Sequence, residues 1–281
     1  ENGDIFTPCP ECENGGPGDP RMTGDKAGFN QFLIDEYKIS QNYFLSTGKD
    51  IAIYNSMNGD IAREIITPKI ADELGDTILV DHYVNSVSKF ASDVSNMSSR
   101  LHTTVGLGEL GAPVPDLNGN MSQDEQANYI AGLLNSLYIK GNKHPVVNYW
   151  TLRGGSTAIV SDGGVPRKAY YVVKSYFDAP KIHGAISDQE GNRIDKVIIT
   201  VDDTEYSTES DASGMYSVFL APTYRKITIA KEGYKTLVLD FPLELAHDTE
   251  KDIILESLNP TLWYKVKVFL LNIKSKMYVS N

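Results

Sequence analysis

Two rhythms of apolar and polar residues divide the chain. In the first part they follow a helical period broken by short apolar runs. Residues 27–45 place Phe29, Phe32, Leu33, Tyr37, Tyr43 and Phe44 at helical intervals, with Gly48 as a stop. Residues 51–54 form a short apolar run of the kind a buried strand shows. A helical stretch over residues 60–74 follows, broken or kinked at Pro68. Residues 78–84 read as a second strand, residues 87–97 as a helix, and residues 103–109 as a strand that ends on Glu109. Ser122-Gln123-Asp124-Glu125 is a capping box, opening a helix with Ala127, Ile130, Ala131, Leu134 and Leu137 on one face. Residues 145–150 are the fourth strand, and residues 167–176 the last helix. Four strand–helix units with short connections predict a parallel sheet covered by helices.

The rhythm changes at Ala179-Pro180. Alternating runs at residues 197–201, 215–220, 226–230 and 236–239 are separated by turn residues at 190–192, 211–214 and 232–233. That pattern predicts a small antiparallel β-sandwich over residues 179–257. Asp202-Asp203 is read as a solvated turn rather than a calcium site. From 258 to 281 the character changes again. Residues 262–271, from Leu262 to Leu271, are apolar with interleaved lysines, and no acid follows Glu256. This segment is too short and too charged to span a bilayer. It reads as an amphipathic tail whose expected contact is a peripheral one with an anionic membrane surface, the alternative being a helix that packs back on the protein.

Composition narrows the function. The 281 residues are 41% hydrophobic, enough for two cores, and the net charge of −11 argues against a nucleic-acid partner. The chain opens in mid-motif, which suggests a piece of a longer protein with any export signal upstream. Its two cysteines, Cys9 and Cys12, leave three readings open: half a zinc site, a redox pair or a local disulfide. There is no second such pair and no histidine close by in sequence, and the motif lies in a Pro/Gly-rich loop, which favours a loop staple or surface pair. No cofactor and no metal are expected.

The chemistry centres on Glu109. It ends an apolar strand and lies between Gly108 and Gly111, which is how a barrel enzyme presents a catalytic carboxylate. Three strand ends in order, His82-Tyr83, Gly108-Glu109-Leu110-Gly111 and Trp150, resemble those of retaining glycoside hydrolases built on the (β/α)8 barrel. The resemblance covers residues 51–177 and implies that residues 1–178 are the C-terminal half of such a barrel. It implies Glu109 as nucleophile, Tyr83 as the hydroxyl that holds it and lowers its pKa, and His82 and Trp150 as substrate contacts, Trp150 stacking on the sugar. Tyr54 and Asn55, at the end of the preceding strand, are expected to line the same mouth. The acid/base glutamate of this family follows an asparagine on the fourth strand. Here that position falls at or before the first residue, and Glu1, with no asparagine before it, is the candidate.

The second domain resembles the carboxypeptidase-regulatory-like β-sandwich. The carriers are His183-Gly184-Ala185-Ile186-Ser187-Asp188 with Gly191, then Asp211–Tyr216 (residues 211–216) and Lys231-Glu232-Gly233-Tyr234. The resemblance implies an accessory module and a secreted or cell-surface protein. The fold class expected is thus α/β, a partial TIM-type barrel followed by a small antiparallel sandwich and a short tail. The expected function is hydrolysis of a β-linked oligo- or polysaccharide by two carboxylates. The alternative is a non-catalytic surface protein whose degenerate barrel binds glycan or acts as a spacer.

Overall fold

The computed structural model describes residues 3–141, 144–242, 248–262 and 264–266. The chain is a mixed α/β protein in two compact units: Glu1–Leu137 with Asn142–Val173, and Tyr138–Gly141 with Lys174–Asn281.

In the first unit, β1 (Ile5–Phe6) leads into a loop with a single 3-10 turn at Cys12–Asn14 and then α1 (Pro20–Thr23) and α2 (Lys26–Ser46). Asp25 caps α2, its carboxylate accepting from the Gly28 N–H at 2.8 Å. The apolar run expected at 51–54 is divided. Only β2 (Ala52–Ile53) is extended there, and it pairs in parallel with β1. After Tyr54 the chain enters a second strand, β3 (Asn55–Asn58), which belongs to a different sheet.

The helical stretch expected over 60–74 is also two pieces, α3 (Gly59–Glu64) and α4 (Pro68–Glu73). Pro68 occupies the first turn of α4, where its missing N–H costs nothing, and Thr67 caps it. Then follow β4 (Thr77–Asp81), α5 (Val87–Leu101), β5 (Thr104–Leu110), α6 (Pro115–Asn118), α7 (Gln123–Ile139), β6 (Val147–Tyr149) and α8 (Lys168–Phe177). Ser86 caps α5. The capping box of α7 forms: the Ser122 N–H donates to Glu125 Oε2 at 2.8 Å, and the Glu125 N–H to Ser122 Oγ at 3.3 Å.

The main sheet runs β3-β4-β5-β6, all parallel. Among the described residues it has these four strands, with β1 and β2 as a separate pair, rather than a closed barrel. Ile78, Val80, Leu107 and Leu110 fill its interior, with Ile61, Leu74, Phe90 and Ile130 buried from the helices.

The second unit carries β7 (Lys181–Asp188), β8 (Ile198–Val201), β9 (Ser207–Glu209), β10 (Met215–Phe219), β11 (Lys226–Ala230), β12 (Leu237–Asp240), β13 (Asp248–Glu250) and β14 (Ile253–Leu255). One sheet, β12-β11-β8-β9, is antiparallel throughout. In the other, β7 pairs antiparallel with β10 and parallel with β13 and β14. Alternate residues of both sheets, Ile182, Ile186, Tyr216 and Val218 from one and Ile199, Val201, Ile227 and Ile229 from the other, share one apolar core.

Candidate active site

The carboxyl ends of β3, β4 and β5 lie side by side, as the parallel register requires. Asn58 is level with Asp81, and Asp81 with Glu109. The register slips by one residue between β4 and β5, since Val80 faces Leu107 while Asp81 faces Glu109. Gly108 is the residue left over. A Cβ at this position would collide with Asp81 Oδ1 and Ser56 Oγ, so the glycine makes room for the Asp81 carboxyl group to lie across β5. Ser56 Oγ holds that group with donor distances of 3.0 and 3.3 Å to its two oxygens.

A third carboxylate comes from the loop after β1. One oxygen each from Glu11, Asp81 and Glu109 lie within 4.8 Å of one another. Asn14 Nδ2 donates to Glu11 Oε2 at 2.9 Å, and Asn58 Nδ2 to Oε1 at 3.3 Å. The Glu11 N–H reaches Ser56 O at 3.3 Å. Neighbouring Glu13 is buried, and its Oε1 accepts from the Asn58 N–H at 2.6 Å. Cys9 and Cys12, on either side of Glu11, are joined in a disulfide. Among the described residues, Glu11, Asp81 and Glu109 are the one set of acid, histidine or cysteine side chains spaced closely enough to share a cation.

Tyr83 Oη donates to Glu109 Oε2 at 2.8 Å. This bond favours the carboxylate but does not decide the balance. Burial raises the Glu109 pKa, the charge of Glu11 adds to the rise, and the tyrosine bond offsets only part of it. Asp81, 2% exposed, is pushed up to about 7, first by burial and then by the charge on Glu109. Burial and the neighbouring charge therefore leave Asp81 only partly ionised at neutral pH.

Other expected site residues fall in different places. His82 is buried, with Nε2 3.1 Å from Asp93 Oδ2 and its ring stacked on Phe90. Burial pulls its pKa down against the pull of Asp93. It stands with Tyr83, Asn58, Arg63 and Lys89 in the wall of a cleft of about 530 Å³. Trp150 follows β6 directly. Its backbone N–H donates to Leu110 O at 2.9 Å, and the residue is 52% exposed.

Tyr54 and Asn55 do not line the mouth. Asn55 opens β3 and Tyr54 precedes it, three and four residues before the carboxyl end at Asn58. Tyr54 borders a separate depression with Tyr37, Phe44 and Gly75, and Asn55 is fully buried with Nδ2 3.5 Å from Leu33 O. Asn58 holds the position that they were expected to hold. Glu1 lies outside the described residues, and the carboxyl groups brought close to Glu109 are those of Glu11 and Asp81.

No protein-family model matches the chain, and no curated protein does. Its structural neighbours include glycoside hydrolases of three families. One is a GH128 (subgroup II) endo-β-1,3-glucanase from Sorangium cellulosum, at 15% identity and TM-score 0.39 over 51% of this chain and 62% of that one. A second is a glycoside hydrolase family 17 β-1,3-glucanosyltransferase from Rhizomucor miehei, at 12% identity and TM-score 0.44 over 60% and 64%. A third is a GH51 arabinofuranosidase from Xanthomonas axonopodis pv. citri, at 13% identity and TM-score 0.46 over 80% and 51%. The match spans less than two thirds of the length of each of these proteins.

Proposed function

We propose that the chain carries the catalytic centre of a retaining glycoside hydrolase acting on a β-linked glycan, with Glu109 as nucleophile and Glu11 as acid/base. The observation that carries this reading is the approach of the Glu11 and Glu109 carboxylate oxygens to within 4.8 Å, at the carboxyl edge of a parallel sheet. Retaining enzymes hold their two carboxyl groups about 5–5.5 Å apart, which leaves no room for a water between them and the sugar.

In the first step Glu109 attacks the anomeric carbon, the glycosidic C–O bond breaks, and the Glu11 carboxyl group gives a proton to the departing oxygen. In the second, Glu11 takes a proton from water, the water oxygen bonds to the anomeric carbon, and the Glu109 ester bond breaks. Tyr83 keeps Oε2 of Glu109 aligned and occupied, leaving the other oxygen to attack. The exposed Trp150 offers an apolar face for the C–H side of a sugar.

The wider reading goes with this one. The first unit is taken as part of a (β/α)8 barrel and the second as a carboxypeptidase-regulatory-like accessory module. The Cys9–Cys12 disulfide supports an oxidising, secreted or cell-surface setting. The proposed membrane contact of Leu262 to Leu271 lies largely outside the described residues.

The test is covalent trapping. The protein is incubated with a panel of 2,4-dinitrophenyl 2-deoxy-2-fluoro-β-glycosides and digested for mass spectrometry. The expected result is one glycosyl adduct on the peptide holding Glu109, absent in Glu109→Gln. No adduct with any sugar, together with no turnover of β-linked polysaccharides, would overturn the reading in favour of glycan binding without hydrolysis.

A further inference from the structure

The cysteine pair has no part in the mechanism above, yet its geometry is tied to it. The disulfide closes a ring over Cys9-Pro10-Glu11-Cys12, with the two Cα atoms 5.4 Å apart. Inside the ring Glu11 is left-handed, at φ 49° and ψ 52°. A residue with a side chain disfavours that region, so something must hold it there. Proline at position 10 restricts one side of the ring. On the other side Cys12 and Glu13 are buried. The polar ties all run to one strand or within the loop itself: Glu11 N–H to Ser56 O, Asn58 Nδ2 to Glu11 Oε1, the Asn58 N–H to Glu13 Oε1, and Asn14 Nδ2 to Glu11 Oε2. The loop has little regular structure to fix it, since β1 before it is two residues long. Cys9 is only partly buried, so a small reductant can reach the pair.

We propose that the Cys9–Cys12 disulfide is a positioning element for Glu11, holding its carboxyl group against Glu109, so that reduction withdraws the acid/base and leaves the nucleophile in place. Reduction by a dithiol breaks the S–S bond, leaves two thiols in the protein and returns the reductant as its own disulfide, two electrons and two protons being transferred. The ring then opens and Glu11 is free to return to an ordinary backbone conformation. Tyr83, two residues past β4, and Glu109, on β5, do not lie on the loop. The inference rests on the hydrolase reading for its catalytic consequence, but its geometric part stands apart from it.

Loss of an acid/base has a signature that general loosening of the fold lacks. Substrates with good leaving groups need little protonation, and those with poor ones need much. Oxidised protein, protein treated with a dithiol, the Cys9→Ser/Cys12→Ser variant and Glu11→Gln are compared on 2,4-dinitrophenyl and phenyl β-glycosides of the sugar that is turned over. The first step is expected to fall on the order of 100-fold with the phenyl leaving group and less than about threefold with dinitrophenyl. Added azide, which replaces water without needing a base, should restore turnover of the dinitrophenyl substrate. Reoxidation should reverse the effect in the treated protein.

A crystal structure of the reduced protein gives the second readout. Glu11 should stand well outside 4.8 Å of Glu109 while the 2.8 Å Tyr83–Glu109 bond persists. An equal loss on both substrates, no loss at all, or an unmoved Glu11 in the reduced crystal overturns the inference. If Glu11→Gln itself shows no dependence on the leaving group, the hydrolase reading fails, and the position of Glu11 in the reduced crystal decides the geometric claim on its own.

Discussion

Tyr83, just beyond the end of β4, donates its phenolic hydrogen to Glu109 near the end of β5 across 2.8 Å. Burial and the facing carboxylate push the tyrosine pKa well up, so the hydroxyl stays a donor at every pH where a hydrolase works. The bond is the one contribution that lowers the pKa of Glu109 against burial and the charge of Glu11.

Tyr83→Phe removes that contribution and leaves the others. The Glu109 pKa should rise further, and the acid limb of the kcat/KM profile should move to higher pH. Turnover at pH 7 should fall about 10-fold to 100-fold, the worth of a hydrogen bond to a charged group. A pH–rate series checks both, and an acid limb that stays put would count against the role given to Tyr83.

Asp81 links the site to stability. Its pKa rises to about 7 in the folded protein, from about 3.9 in an unfolded chain. Between these values the native state keeps a proton that the unfolded chain has released, so each step up in pH costs stability. The contribution is fully present below about pH 4 and lost as pH rises through about 7. Asp81→Asn stays neutral and lacks this loss. The melting temperature of the wild type should therefore fall between pH 5 and 8 relative to the variant, by on the order of several degrees. Parallel melting curves across that range would contradict the raised pKa.

Gly108→Ala tests the cradle. The added methyl meets Asp81 Oδ1 and Ser56 Oγ, both buried and held by neighbouring strands. A destabilisation of about 1–3 kcal/mol is expected, the usual cost of overpacking, with a larger loss of turnover than of stability because the clash falls on the residue next to Glu109 and on the Asp81 carboxyl group beside it. Chemical denaturation and kinetics measured on one preparation separate the two effects.

Trp150→Ala removes an apolar surface that solvent already reaches. KM for an oligosaccharide should rise by about 10-fold while the melting temperature shifts by less than about 2 °C, since an exposed side chain adds little to the core. An unchanged KM would remove Trp150 from the sugar-binding surface.

The strand that carries Glu109 was legible because an apolar run closing on an acid is a local pattern, and so was the capping box of α7. Asn58 was not. Asn55-Ser56-Met57-Asn58 is too polar to read as a strand, yet it is one because Asn55 and Ser56 are buried beside β4. Ending the strand at Tyr54 moved the expected mouth by four residues. Glu11 was hidden for another reason. It lies on a loop, 98 residues before its partner, and is held by its backbone conformation, by two asparagine amides and by the flanking cysteines. No periodicity announces such a position. The edge strands β9, β13 and β14, of three residues each, were missed because so short a run carries too little alternation to count.

The pairing of β7 bears on how the second unit comes off the ribosome. Its first strand to be made is flanked on one side by β10 and on the other by β13 and β14, and Ile186 lies beside Ile253, 67 residues further on. During synthesis that side of β7 therefore waits with open N–H and C=O groups until almost the whole unit has emerged. Closing so long a loop late makes folding slow by the rule that distant contacts are entropically expensive. A nascent chain halted before Ile253 would be sticky and sensitive to protease, and release of the last strands would seal it.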